Sequence, residues 1–146
     1  MSSLIHLFAE DTAKIVRKPW GEERWLVEGD APFVMKLIVL KAGQRTSLQF
    51  HERKEEANLI LDGAAWLRYR DDGEGGGQGQ SQLRRLEKGA VVHIRPGAIH
   101  RIEAETDLLM LEVSTPEVDD VVRVEDDWNR PDGRIHREHD AQGSPR

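Results

Sequence analysis

Residues 43–63 read GQRTSLQFHERKEEANLILDG, and the fold is decided by this stretch. An apolar run ends at His51, a charged corner follows at residues 52–55, and a second apolar run from Glu56 closes on Asp62-Gly63. Side chains alternate across a strand, so Gln49 and His51 share a face, joined by Arg53 if the strand runs on. Glu56, Asn58 and Ile60 share a face of the returning run in the same way. Two strands meeting at such a corner can aim an imidazole and a carboxylate at one point inside a sheet. Asp62-Gly63 reads as a hairpin turn, because glycine supplies the positive φ of a type I′ turn at little cost.

The same pattern recurs on both sides. Short runs rich in β-branched, aromatic and other apolar residues lie at 23–28, 33–40, 64–70, 82–86, 90–94, 101–105 and 108–113, with turn residues between them. Their spacing, near 8–12 residues, predicts an all-β sandwich or barrel. The glycine-rich DDGEGGGQGQ at 71–80 lacks the Lys-Ser/Thr ending of a phosphate loop and reads as a flexible hairpin tip. Residues 16–130 form one domain. Residues 1–15 precede it as an arm, in which Leu4, Leu7 and Phe8 have the spacing of a short helical turn; a loose leader, or an arm crossing to a neighbouring subunit, is the other reading. Lys18-Pro19-Trp20-Gly21 ends any helix there. Residues 131–146, polar and bearing proline and glycine, read as a disordered tail in which His136 and His139 are solvated.

Composition narrows the classes. A net charge of -6 argues against a nucleic-acid partner, whose binders present a basic face. The absence of cysteine rules out disulfides and thiolate metal sites and fits a reducing cytoplasm, the compartment expected here. No apolar run approaches the roughly 18 residues of a membrane helix, so no membrane partner is expected.

A second stretch, GAVVHIRPGAIH at 89–100, brings another histidine after a Pro-Gly turn. Together the two stretches resemble the paired motifs of the cupin family: Gly43, His51, Glu56 and Gly63 in the first, Gly89, Pro96-Gly97 and His100 in the second. Within cupins the likeness is to the isomerase domain of type II mannose-6-phosphate isomerases, carried by KPWG at 18–21, GQRTSLQFH at 43–51 and RVEDDWNR at 123–130. The resemblance implies a double-stranded β-helix, or jelly-roll, barrel and a homodimer. It also implies a divalent metal (Zn, Mn, Fe, Ni or Co) on His51, Glu56 and His100, and a sugar-phosphate substrate. One departure stands out: cupins carry His-x-His in the first motif, and here the second place is Arg53, a guanidinium with no lone pair to give.

Arg53 is therefore a candidate for gripping phosphate, for pairing with Glu56, or for displacing a metal. Arg45, Lys54 and Arg101 lie near the motifs, and guanidinium groups bind phosphate through two parallel hydrogen bonds. Lys36 shares parity with Ile38 and Leu40, which puts it either in the pocket or snorkelling from an apolar face. Arg53, Arg45, Lys36 and Gln49 are the candidate substrate-binding residues. Candidate acid/base groups are Glu55, His93 (facing either the mouth of the barrel or solvent) and a hydroxide on the metal that the resemblance implies. Three functions fit: a metal-dependent aldose–ketose isomerase, a non-catalytic sugar- or anion-binding cupin, and a non-haem iron oxygenase built on two histidines and one carboxylate.

Overall fold

The computed structural model describes residues 4–70, 81–125 and 127, with the backbone of Gly133–Arg134. Among these residues twelve strands build two antiparallel sheets, and the one helical element is a 3₁₀ turn at Glu10–Thr12. The first sheet contains β1 (Lys14–Lys18), β2 (Gly21–Val27), β3 (Val34–Leu40), β10 (Leu108–Ser114), β5 (Glu56–Asp62) and β8 (Val91–Ile94), in that order. The second contains β12 (Gly133–Arg134), β11 (Val122–Glu125), β4 (Leu48–Phe50), β9 (Ile99–Ala104), β6 (Ala65–Arg70) and β7 (Gln82–Leu86). The all-β architecture expected from strand spacing, and the two-sheet jelly roll implied by the resemblance, are what is observed.

Asp62-Gly63 is not a hairpin. β5 pairs with β8 and β10, whereas β6 pairs with β7 and β9, so the chain crosses from one sheet to the other at this corner. The demand on Gly63 is nevertheless real. Its φ is +89°, and a Cβ there would lie 2.2 Å from the Asp107 carbonyl oxygen, a distance no side chain tolerates. The arm also differs from the helical reading. Residues 4–8 are exposed and form neither helix nor strand, with Leu4 98% exposed, and Arg24 on β2 anchors Glu10 at 2.7 Å. Strands β1 and β11 lie where no strand was read. Gly133–Arg134 pairs with β11, inside the segment read as a tail; residues 71–80 and 135–146, including His136 and His139, lie outside the described residues.

The inner faces divide into a dry end and a wet end. Ile38, Leu40, Ile60, Leu67, Ile102 and Met110 belong to a single apolar cluster, each worth roughly 1.5–3 kcal/mol when buried. One step along the strands the register places Trp25, Lys36, Glu112, Asn58 and Val92 side by side across the first sheet. The second sheet contributes the row Tyr69, His100, Gln49 and Arg123. Lys36, Glu112, Asn58, His100 and Arg123 are all buried, so the barrel encloses one polar layer.

Candidate metal centre

His51, Glu56 and His100 converge inside this layer, with one donor atom from each lying within 4.8 Å of the others. Glu56 opens β5 and points inward with Asn58 and Ile60, as alternation requires. His51 follows β4, and its carbonyl accepts from the Gly97 amide at 2.7 Å, so the Pro-Gly turn of the second motif clasps the first. His100 lies on β9 opposite Gln49.

Both rings are fixed by backbone carbonyls, which can only accept. His51 Nδ1 donates to the Asp120 carbonyl at 2.6 Å and His100 Nδ1 to the Ala98 carbonyl at 3.0 Å. In neutral rings this leaves each Nε2 with a lone pair. Those two nitrogens face the same oxygen, Glu56 Oε1, at 3.1 and 3.2 Å. Three lone pairs this close repel unless a proton or a metal cation lies among them. Donors about 2.1 Å from an ion and at right angles to each other are about 3.0 Å apart, so the spacing suits a transition-metal ion. The residues fit the group that the resemblance implies.

A charged network surrounds the trio. Lys54 Nζ lies 3.3 Å from Glu112 Oε2 and 3.8 Å from Glu56 Oε2; Lys36 Nζ lies 3.2 Å from Glu23 Oε1 and 4.0 Å from Glu112 Oε2. Lys36 also sits 4.2 Å from the centre of the Trp25 ring. Burial lowers the pKa of His51 against the pull of Glu56, so this ring is neutral near pH 7. Burial works against charge on Glu56, but Lys54 and a hydrogen bond from Glu112 hold it well below the usual carboxylate range. Burial and the Glu56 charge push Glu112 up to about 8. Burial likewise opposes the charge on Lys54, but Glu112, Glu56 and Glu23 outweigh it and raise its pKa. Glu56 thus carries the charge and Glu112 the proton.

The other candidates separate clearly. Lys36 and Gln49 line a cavity of about 60 Å³ together with Glu23, Lys54, Glu112 and Arg123. Arg53 does not continue the strand parity. β4 ends at Phe50, the chain bends, and the guanidinium is exposed. Lys54 takes the interior place instead. Glu55 and His93 meet on the outer face, His93 Nε2 to Glu55 Oε2 at 2.6 Å, with His93 half exposed. His93 opposes Ala57, which faces outward, so it is turned to solvent and away from the mouth. Arg45 pairs with Asp127 outside the barrel. Arg101 is buried against the Thr46 carbonyl and is no rim residue.

Sequence reasoning missed Glu112, Glu23 and Asp120. Parity could have found the first two: Glu112 alternates with Leu108 and Met110, and Glu23 with Trp25, the same argument that singled out Lys36.

The fold has many solved relatives. CapF, the capsular polysaccharide assembling protein of Staphylococcus aureus, is 19% identical with a TM-score of 0.66, over 78% of this chain and 34% of that one. Oxalate decarboxylase from Bacillus subtilis is 17% identical with a TM-score of 0.69, over 85% of this chain and 33% of that one. The chain thus spans about a third of either structure, and at such identities the likeness is one of cupin fold. No curated protein matches the chain. A family model does: that of the mannose-6-phosphate isomerase C-terminal domain fits residues 8–126, so the chain belongs to that family.

Proposed function

We propose that this domain is a metal-dependent isomerase interconverting an aldose phosphate and a ketose phosphate. The observation that carries the reading is a donor set for a divalent ion whose neighbour Lys54, 3.8 Å from Glu56, lines with Glu112 and Lys36 a cavity that the three donors adjoin but do not themselves line. When bound, the ion supplies a Lewis acid that polarises a carbonyl oxygen. The protein's own task is the proton. An aldose–ketose shift removes a proton from one carbon and returns it to the next, so one group on one side of the sugar can do both. Glu55 and His93 point away from the cavity; among the carboxyls that line it Glu112 is assigned this role, with Lys54 at 3.3 Å steadying its carboxylate form. The cavity, about 60 Å³, is well below the roughly 300–1,000 Å³ of pockets that enclose whole ligands. Only the carbonyl end of an open-chain sugar enters. The phosphate stays outside, and Arg53, exposed on the corner that carries Lys54, is the cation assigned to it.

The test is mannose 6-phosphate turnover before and after EDTA, with metal restored. Turnover should vanish and return, and Glu112→Gln should lower kcat by about 10²–10⁴-fold. Turnover indifferent to chelation, or oxygen uptake dependent on ferrous iron without isomerisation, refutes the proposal. A non-catalytic sugar- or anion-binding cupin is the second reading. Lys54 favours it, a fixed cation 3.8 Å from the carboxylate that a metal would need. Thermal stabilisation by sugar phosphates with no turnover across a panel selects that reading.

A further inference from the structure

Asp120 acts on the trio from outside it, and it does so with both its side chain and its backbone. Its carboxylate accepts three consecutive amides: Glu52 at 3.2 Å on Oδ1, then Arg53 at 2.6 Å and Lys54 at 2.8 Å on Oδ2. These amides form the corner between β4 and β5. Its carbonyl accepts His51 Nδ1–H at 2.6 Å. Asp120 is itself buried, in a loop whose neighbours Val118 and Val121 line the cavity. A single residue thus bends the chain after His51 and selects the proton position on the ring.

We infer that Asp120 is the positioning residue of the centre: by gathering the amides of residues 52–54 it turns Lys54 inward and Arg53 outward, and by its carbonyl it presents His51 Nε2 to the metal. The metal part of this rests on the function proposed above; the ring part does not. Three amides converging on a carboxylate have no equivalent partner once it is removed, so the corner must open. An opened corner moves the Asp120 carbonyl away from the ring. His51 then loses its reason to keep the proton on Nδ1, which is what weakens the metal site; Lys54 also loses its fixed bearing, which by its sign offsets part of that loss. Outer partners of this kind are worth about 10–100-fold in metal affinity.

The experiment uses the full chain as wild type, Asp120→Ala and Asp120→Asn, with Leu86→Ala as a control that loosens the apolar end alone. Cobalt(II) titration reads affinity, and ¹⁵N shifts of the histidine rings in metal-free protein read the His51 tautomer. Asp120→Ala should weaken cobalt binding by about 10–100-fold and turn a single Nδ1–H form of His51 into a mixture. Asp120→Asn, which keeps one acceptor oxygen, should lie between it and wild type. Leu86→Ala should alter neither reading. If Asp120→Ala does not fold, Asp120→Asn carries the comparison. A His51 ring that stays wholly Nδ1–H in the folded Asp120 variants overturns the inference whether or not metal binds. Failure of wild type to bind cobalt would sink the metal reading alone, and the tautomer would still decide the role of Asp120.

Discussion

Replacing Lys54 by methionine tests whether a buried cation holds the polar layer together and what it costs a metal. The ammonium is nearly inaccessible, with a side chain 6% exposed, and lies 3.3 Å from Glu112 and 3.8 Å from Glu56. Two unit charges 4 Å apart interact by about 4 kcal/mol at an effective dielectric near 20. Removing one partner of such a pair leaves a buried charge uncompensated, at about 3–5 kcal/mol. Lys36, 4.0 Å from Glu112, and the proton held by Glu112 recover part of this, so the loss belongs at the lower end. Chelator-treated Lys54→Met should lose about 3 kcal/mol in urea unfolding relative to wild type. The sign reverses for metal: without a fixed cation beside Glu56, a divalent ion binds more tightly, and adding cobalt should restore most of the lost stability. Unchanged metal-free stability, or weaker cobalt binding in the variant, would refute the account.

Three further outcomes follow from the geometry. Glu55→Gln and His93→Ala should leave turnover and metal affinity within about twofold, because this exposed pair is of the kind worth about 0–1 kcal/mol and faces away from the cavity; a tenfold loss in a steady-state assay would contradict its placement. Glu112 has a folded pKa near 8 against an ordinary 4.5, so its protonated form favours the folded state; that stability is complete below about 4.5 and is lost as pH rises to about 8. His51, held neutral by burial, acts the opposite way below about 6.5, so urea unfolding of metal-free protein should weaken most cleanly from about pH 6.5 to 8, and Glu112→Gln should flatten that slope. Gly63→Ala should destabilise well beyond Gly89→Ala, since both sites have φ near +90° but only the first meets a carbonyl oxygen at 2.2 Å; equal urea midpoints would show that the close approach relaxes at no cost.

Much of the barrel was legible because alternation is a local property. Glu56, Asn58 and Ile60 are buried as their parity requires, and nine of the strands fall where β-branched runs were read. The meeting of His51, Glu56 and His100 was legible only through the order of two motifs, since nothing local tells residue 51 that residue 100 lies beside it. Parity failed wherever the backbone bent. It placed Arg53 beside His51, but the corner capped by Asp120 exchanges Arg53 for Lys54, and the capping residue lies 66 positions beyond Lys54 in the chain. Asp62-Gly63 misled for a related reason: a positive φ fixes a sharp turn but does not say whether the next strand pairs with the last one or departs for the opposite sheet. His93 was undecided by sequence because a short edge strand carries apolar residues on both faces, Val91 outward and Ile94 inward.

The split of the interior into a dry end and a wet end has a consequence for how such a barrel can change. Ile38, Leu40, Ile60 and Met110, one step from the polar row, pack in one apolar cluster with Leu67 and Ile102 of the opposite sheet. The residues of the polar layer can therefore be exchanged while the scaffold keeps its own anchorage. Exchanging one buried charge for another in the wet layer changes which small molecule or ion is welcome, and the strands need not be re-registered to permit it.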